Sequence, residues 1–166
     1  THHYHGRKNF SQEELTEYAT KLHSRGIRCH FHVMGDHAVE MAALAMEKAH
    51  QVKLPDPPRH IFAHIRLARK EDIEKLEGME VSANFTAYSC SKDTTGKFID
   101  GRVELIQYPI KEFVKRNINV CYGSDWPVTD VYPIDNMEVA VTRKPLGAGE
   151  DVEAIDKNQR IDVMQA

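Results

Sequence analysis

Three side chains of types that bind divalent metals each close an apolar run in this chain of 166 residues. His32 stands in Cys29-His30-Phe31-His32-Val33-Met34-Gly35-Asp36, His64 in Arg59-His60-Ile61-Phe62-Ala63-His64, and Asp125 in Val120-Cys121-Tyr122-Gly123-Ser124-Asp125-Trp126-Pro127. Two imidazoles and a carboxylate can hold an ion such as zinc. A carboxylate beside that ion can hold a water and take its proton, which generates hydroxide at neutral pH. Each residue also has a plainer reading. His32 and His64 could be hydrogen-bonded core histidines. Asp125 could cap the following turn, although a carboxylate ending a buried strand is costly unless paired or metal-bound. Asp36, just ahead of a helical pattern, reads as an N-cap. Three further residues are candidates for substrate contact. Asn84 can hydrogen-bond a carbonyl or serve as a turn residue, Trp126 can wall a pocket or pack under its loop, and Tyr108 can donate to a developing oxyanion or simply pack.

The elements that must position these groups alternate between strand and helix. Residues 11–25 predict a helix capped by Ser11, with Glu14 completing a capping box and Leu15, Tyr18, Ala19 and Leu22 on its apolar face. A strand follows over 27–33, and then a helix over 37–51 with Val39, Ala42, Ala43, Met46 and Ala49 at helical spacing. Pro55-Asp56-Pro57-Pro58 is a rigid connector. Next come a strand over 59–65, a helix over 70–76 and a strand over 80–85. The aperiodic stretch 86–108 reads as a long functional or mobile loop. Pro109 opens a helix that buries Ile110, Phe113 and Val114. A strand over 117–123, a Pro-punctuated loop over 126–134 and a short helix over 135–142 complete the pattern. The tail after Pro145 reads as an interrupted helix start. Four strands alternating with helices imply right-handed crossovers and a parallel sheet. Polar groups recurring at strand C-terminal ends favour part of a TIM (β/α)8 barrel over an open doubly wound sheet.

Composition excludes several classes. The net charge of −3 with 41% hydrophobic residues describes a soluble globular protein. No sustained basic block marks a nucleic-acid surface, and no run of about 18 apolar residues marks a membrane span. Cys29, Cys90 and Cys121 lack CxxC spacing and read as buried reduced thiols, in keeping with a cytoplasmic location. Histidine is the compositional outlier, with ten copies. His2, His3 and His5 read as a natural surface loop, with a tag remnant or a metal role as the alternatives.

These motifs resemble the amidohydrolase superfamily, in its amidohydrolase-3 branch of proteins similar to N-substituted formamide deformylases. The branch's strand-five segment, His-x-His-Ala-x-Gly-Asp followed by Ala-Val, is similar to His30 through Val39 here. Its strand-six histidine corresponds to His64 in Ala63-His64-Ile65-Arg66-Leu67. Its strand-eight segment is reproduced without change as Gly123-Ser124-Asp125-Trp126-Pro127-Val128, and Tyr108-Pro109 matches the Tyr-Pro that opens the preceding helix. The resemblance runs from about Ser11 to Thr142. It implies a barrel in which His32 and His64 are metal ligands and Asp125 is a ligand and general base. It also implies zinc or a related divalent ion, with one or two ions in the whole protein, and hydrolysis of amide or related C–N bonds of a small molecule by hydroxide formed on the metal. Ala63 and Arg66 depart from the Glu and Gln around the family's strand-six histidine, and Asn84-Phe85-Thr86 departs from its strand-seven Gln-Pro, so the substrate does not carry across.

The family's strand-one His-x-His pair has no counterpart, since His2, His3 and His5 directly precede the strand-five segment. Residues 1–166 therefore read as the C-terminal half of a barrel domain, about strands five to eight, and as catalytically silent alone. A non-catalytic regulatory or binding protein on the same scaffold is the alternative. Half a barrel exposes two sheet edges, which predicts self-association.

Overall fold

Capping chemistry starts the first helix of the computed structural model, which describes residues 8–91 and 104–166. Ser11 accepts from the Glu14 amide while the Glu14 carboxylate takes the Ser11 N–H, the reciprocal box the sequence predicts, and α1 runs Gln12–His23. Gly26, at φ +72°, supplies the left-handed turn that ends this segment. Of the apolar face expected for α1 only Ala19 is buried; Tyr18 and Leu22 stay exposed. β1 (His30–Val33) is shorter than the predicted strand, because Ile27 lies out in solvent.

α2 (Asp36–Ala49) buries Val39, Ala42, Ala43, Met46 and Ala49 as its spacing predicts. Its N-cap is Gly35, with no side-chain capping bond. Asp36 is therefore not the cap: it is the first helical residue, and its carboxylate pairs with Arg69 at 3.0 Å. An acid in a first helical turn is favourable in either role.

After the proline connector come β2 (His60–His64), β3 (Leu67–Arg69), α3 (Lys70–Glu74) and β4 (Val81–Phe85). β5 (Leu105–Gln107), α4 (Ile110–Lys115), β6 (Asn119–Tyr122) and α5 (Pro133–Thr142) follow. The four strands foreseen form one parallel sheet in the order β1-β2-β4-β6. The long stretch after residue 85 is not wholly irregular. It opens with a 3-10 turn over Ala87–Ser91 and closes with β5, which pairs antiparallel with β3 in a second, two-stranded sheet. Residues 92–103 of that stretch and the N-terminal histidines lie outside the described residues. The tail holds a 3-10 turn over Lys157–Gln159 in place of a helix start.

The core lies between the main sheet and its helices, with Phe62, Phe85, Ile73, Leu76, Ile110 and Phe113 fully buried. Tyr108 belongs to this core at 1% exposure. Arg143, also fully buried, fastens the C-terminal elements by donating to the carbonyls of Gln107, Tyr108 and Ile155 at 2.9–3.1 Å. All three cysteines are free thiols, with Cys29 and Cys90 buried and Cys121 partly so.

Candidate metal centre

Strand pleating decides which side chains meet. Successive residues of a strand point to opposite faces. The ladder aligns His32 with Ala63, Ala63 with Asn84, and Asn84 with Cys121. These residues share a face with exposed His30, while Val33, Phe62 and Phe85 turn toward the helices, Phe85 meeting Phe113 of α4 edge-on at 5.6 Å. Strict alternation would send His64 to the helix side as well, beside His60 and Phe62. Its backbone breaks that rule: His64 has φ +74° and Ile65 φ +45°. The kink brings the His64 ring to that of His32, edge to face at a centroid separation of 4.5 Å. Left-handed conformations in residues with a Cβ cost of order 1–3 kcal/mol each and cluster at sites where the strain serves a purpose.

The two imidazoles differ in setting. His32 is exposed, which removes its reading as a core histidine. His64 is 9% exposed, and burial, reinforced by the charge of a protonated His32, holds its pKa below the ordinary value; the Asp125 carboxylate acts in the opposite sense. A neutral ring keeps a nitrogen lone pair free for a ligand.

Asp125 is not at a buried strand end, as its sequence context implied. β6 stops at Tyr122, and Asp125 is an exposed residue at φ +53° whose carbonyl accepts from the Val128 amide at 2.8 Å. The penalty foreseen for a buried carboxylate therefore does not arise. Its carboxylate makes no hydrogen bond among the described residues, so it does not cap the turn either. The turn is held by the Thr129 hydroxyl, which donates to the Ser124 carbonyl, and the Trp126–Pro127 peptide is cis.

Among the substrate-contact candidates, Asn84 lies on the His32 face and donates from Nδ2 to Cys121 Sγ at 3.4 Å. Gly123 makes room for it, since a Cβ there would meet Asn84 Oδ1 at 2.9 Å. Trp126 is 68% exposed and does not pack under its loop. Tyr108 takes a packing position. The structure thus brings His32 and His64 together, with Asp125 near enough to bias His64, but no three His, Cys, Asp or Glu side chains among the described residues are grouped to hold an ion. Two participants escape the sequence reading, Cys121 beside Asn84 and Arg69 against Asp36. The first follows only from the strand order, and the second from a strand too short to recognise.

The fold matches two solved structures. An uncharacterized metal-dependent hydrolase from Pyrococcus furiosus superposes with a TM-score of 0.70 at 17% identity, over 96% of this chain and 31% of that one. An uncharacterized metal-dependent hydrolase from Pyrococcus horikoshii OT3 gives 0.68 at 21% identity, over 85% of this chain and 28% of that one. The chain thus spans about a third of the length of these structures, and at such identities the likeness concerns the fold. No curated protein matches it. Sequence kinship comes from a family model, in the amidohydrolase-3 group, that matches residues 1–166 from end to end: the chain belongs to the amidohydrolase family.

Proposed function

We propose that this chain supplies part of the active site of a metal-dependent amidohydrolase acting on amide or related C–N bonds of a small molecule. The observation that carries the reading is the pairing of His32 with His64, achieved only because the backbone leaves the β-region at His64. Two adjacent imidazoles, one kept neutral by burial, suit a borderline ion such as zinc. Asp125 is the third donor in this reading and reaches the pair by movement of its exposed turn. A divalent ion held there supplies Lewis-acid polarisation and acidifies a water. Asp125 would be the proton acceptor beside such an ion and the proton donor to the leaving nitrogen. Asn84 and Trp126 orient the substrate, and Tyr108 acts on it only through packing. We assign the four parallel strands to strands five to eight of a (β/α)8 barrel, with residues 1–166 as its C-terminal half, silent without further ligands from elsewhere in the barrel.

The ungrouped third donor favours one competitor, a non-catalytic protein that keeps the scaffold. The two are separated by zinc content and turnover of the full-length protein on a panel of N-acyl and formamide substrates. Bound zinc, hydrolysis abolished by chelation, and a loss of at least a hundredfold in Asp125→Asn with an unchanged circular dichroism spectrum support the hydrolase. Near-normal turnover in Asp125→Asn removes its role as base, and a folded protein that binds no divalent metal sinks the reading altogether.

A further inference from the structure

Apart from the candidate ligands themselves, the exits of β1 and β2 are tied together by an ion pair between Asp36 and Arg69. Asp36 opens α2 four residues after His32, and Arg69 ends β3 five residues after His64. Arg69 donates from Nη2 to Asp36 Oδ2 at 3.0 Å, and its Nη1 lies 3.6 Å from Glu40 Oε2 on the next turn of α2. That Glu40 oxygen also receives His37 Nδ1 at 3.0 Å. The Arg69 and Asp36 side chains are 26% and 16% exposed, so solvent screens the contact only in part. One backbone bond reinforces it, from the Ile65 amide to the Val33 carbonyl at 2.9 Å.

The tie matters because the intervening chain is held in an unfavourable conformation. His64 and Ile65 both sit at positive φ, and left alone that segment would relax toward the β-region and swing the His64 ring to the other face. On the far side of the kink β3 is held by β5 and by the Tyr108 amide on the Arg66 carbonyl at 2.9 Å, and Arg69 adds the tie from β3 to α2. We propose that Arg69, through Asp36 and Glu40, is a positioning residue that holds His64 against His32 in a geometry fit for one ion. This rests on the two-histidine metal reading above. A guanidinium suits the task because its planar fork spans two carboxylates at once, whereas an ammonium is a single point.

The test uses the full-length protein, with Zn2+ affinity measured by chelator competition and the visible band of the Co2+ form as a geometric readout. Thermal melts of the metal-free protein serve as the control for folding. Arg69→Met weakens Zn2+ binding about tenfold and alters the Co2+ band, while the metal-free melt holds. Arg69→Lys recovers part of the affinity. Asp36→Asn, which cuts the same tie from the other side, gives the same phenotype and decides the matter if Arg69→Met does not fold. If wild type binds Zn2+ and both folded variants bind it equally well with the same Co2+ band, Arg69 has no positioning role. If folded wild type binds neither metal, the two-histidine reading fails first and Arg69's role goes with it.

Discussion

At the scale of single residues, the site depends on where the backbone stops being extended. His64 and Asp125 are both at positive φ, and both are the residues to which the chemistry is assigned. Their residue types were legible in the sequence, but the exposed setting of Asp125 and both conformations were not, because nothing in Phe62-Ala63-His64-Ile65 demands a left-handed turn. Asp36 shows the reverse case. An acid ahead of a helix reads as a cap by propensity, whereas here Arg69, on a strand three residues long, takes it into a tertiary ion pair. Gly123 offers a direct check on how tightly the His32 face is built. A methyl group at this position would press on Asn84 Oδ1 at 2.9 Å and push the amide off Cys121. Gly123→Ala is expected to cost about 1 kcal/mol in urea unfolding, in the range of overpacking effects. In Asn84→Ala the obstacle is gone, so the double variant should be less destabilised than the sum of the two singles. Strict additivity would mean that Asn84 moves aside freely and is not held in place for a substrate.

Among the elements, periodicity was legible wherever helices and strands were long or capped. α1, α2 and the four parallel strands were foreseen within a few residues. β3 and β5 were not, since strands of three residues carry no alternation and their antiparallel pairing joins segments far apart in sequence. Also invisible was the end of the sheet opposite the metal candidates, where α1, α2 and β2 bring three histidines together. The Cys29 amide donates to His60 Nδ1 at 3.0 Å, so His60 carries its proton on Nε2 and donates it to His23 Nδ1, also at 3.0 Å. His23 in turn donates from Nε2 to the Val52 carbonyl at 3.0 Å. Both rings must be neutral for this chain of bonds to exist, because each has one nitrogen accepting. His50 donates from Nδ1 to the Met46 carbonyl and leaves Nε2 buried without a partner among the described residues. Burial first, then the repulsion a second proton on His60 would meet from protonated His23 or His50 and from Arg28, pushes His60 down to about 4, and burial lowers His50 as well. A histidine depressed in the folded state binds fewer protons there than when unfolded, so stability is complete above the unfolded value near 6.5 and is lost as pH falls toward about 4. His64 has the same sign. Unfolding free energy measured by urea is therefore expected to fall by up to about 3 kcal/mol between pH 7 and pH 4.5, ahead of most carboxylate titration. A flat profile over that window would mean that the imidazole chain opens to water without penalty.

For the molecule as a whole, the decisive fact is that its sheet is open among the described residues, with β1 at one side and β6 at the other. Unpaired strand edges present rows of donors and acceptors, and proteins ordinarily cover them or guard them with charge. Here the guards are weak. On the chain leading into β1, Phe10 and Tyr18 meet edge-on at 5.9 Å with both rings exposed, and Leu22 and Ile27 are exposed nearby in sequence. After β6, Trp126, Val128, Val131, Tyr132 and Ile134 are each more than half exposed within one short segment. Scattered exposed apolar residues need no explanation, but runs of them in the chain next to each edge strand are of the kind that another segment covers. A net charge of −3 offers little repulsion against such contacts. In a longer barrel the remaining strands would cover them; as a chain of 166 residues, copies of itself are what is available. Static light scattering of this chain is expected to give a mass above that of the monomer, rising with concentration. Ile134→Asp and Trp126→Asp together should lower it by removing apolar contact at the β6 side, with the β1 side still competent to pair. A monodisperse monomer at high concentration would show that the edges are closed within the chain itself, and the half-barrel reading of residues 1–166 would have to be abandoned with the self-association it predicts.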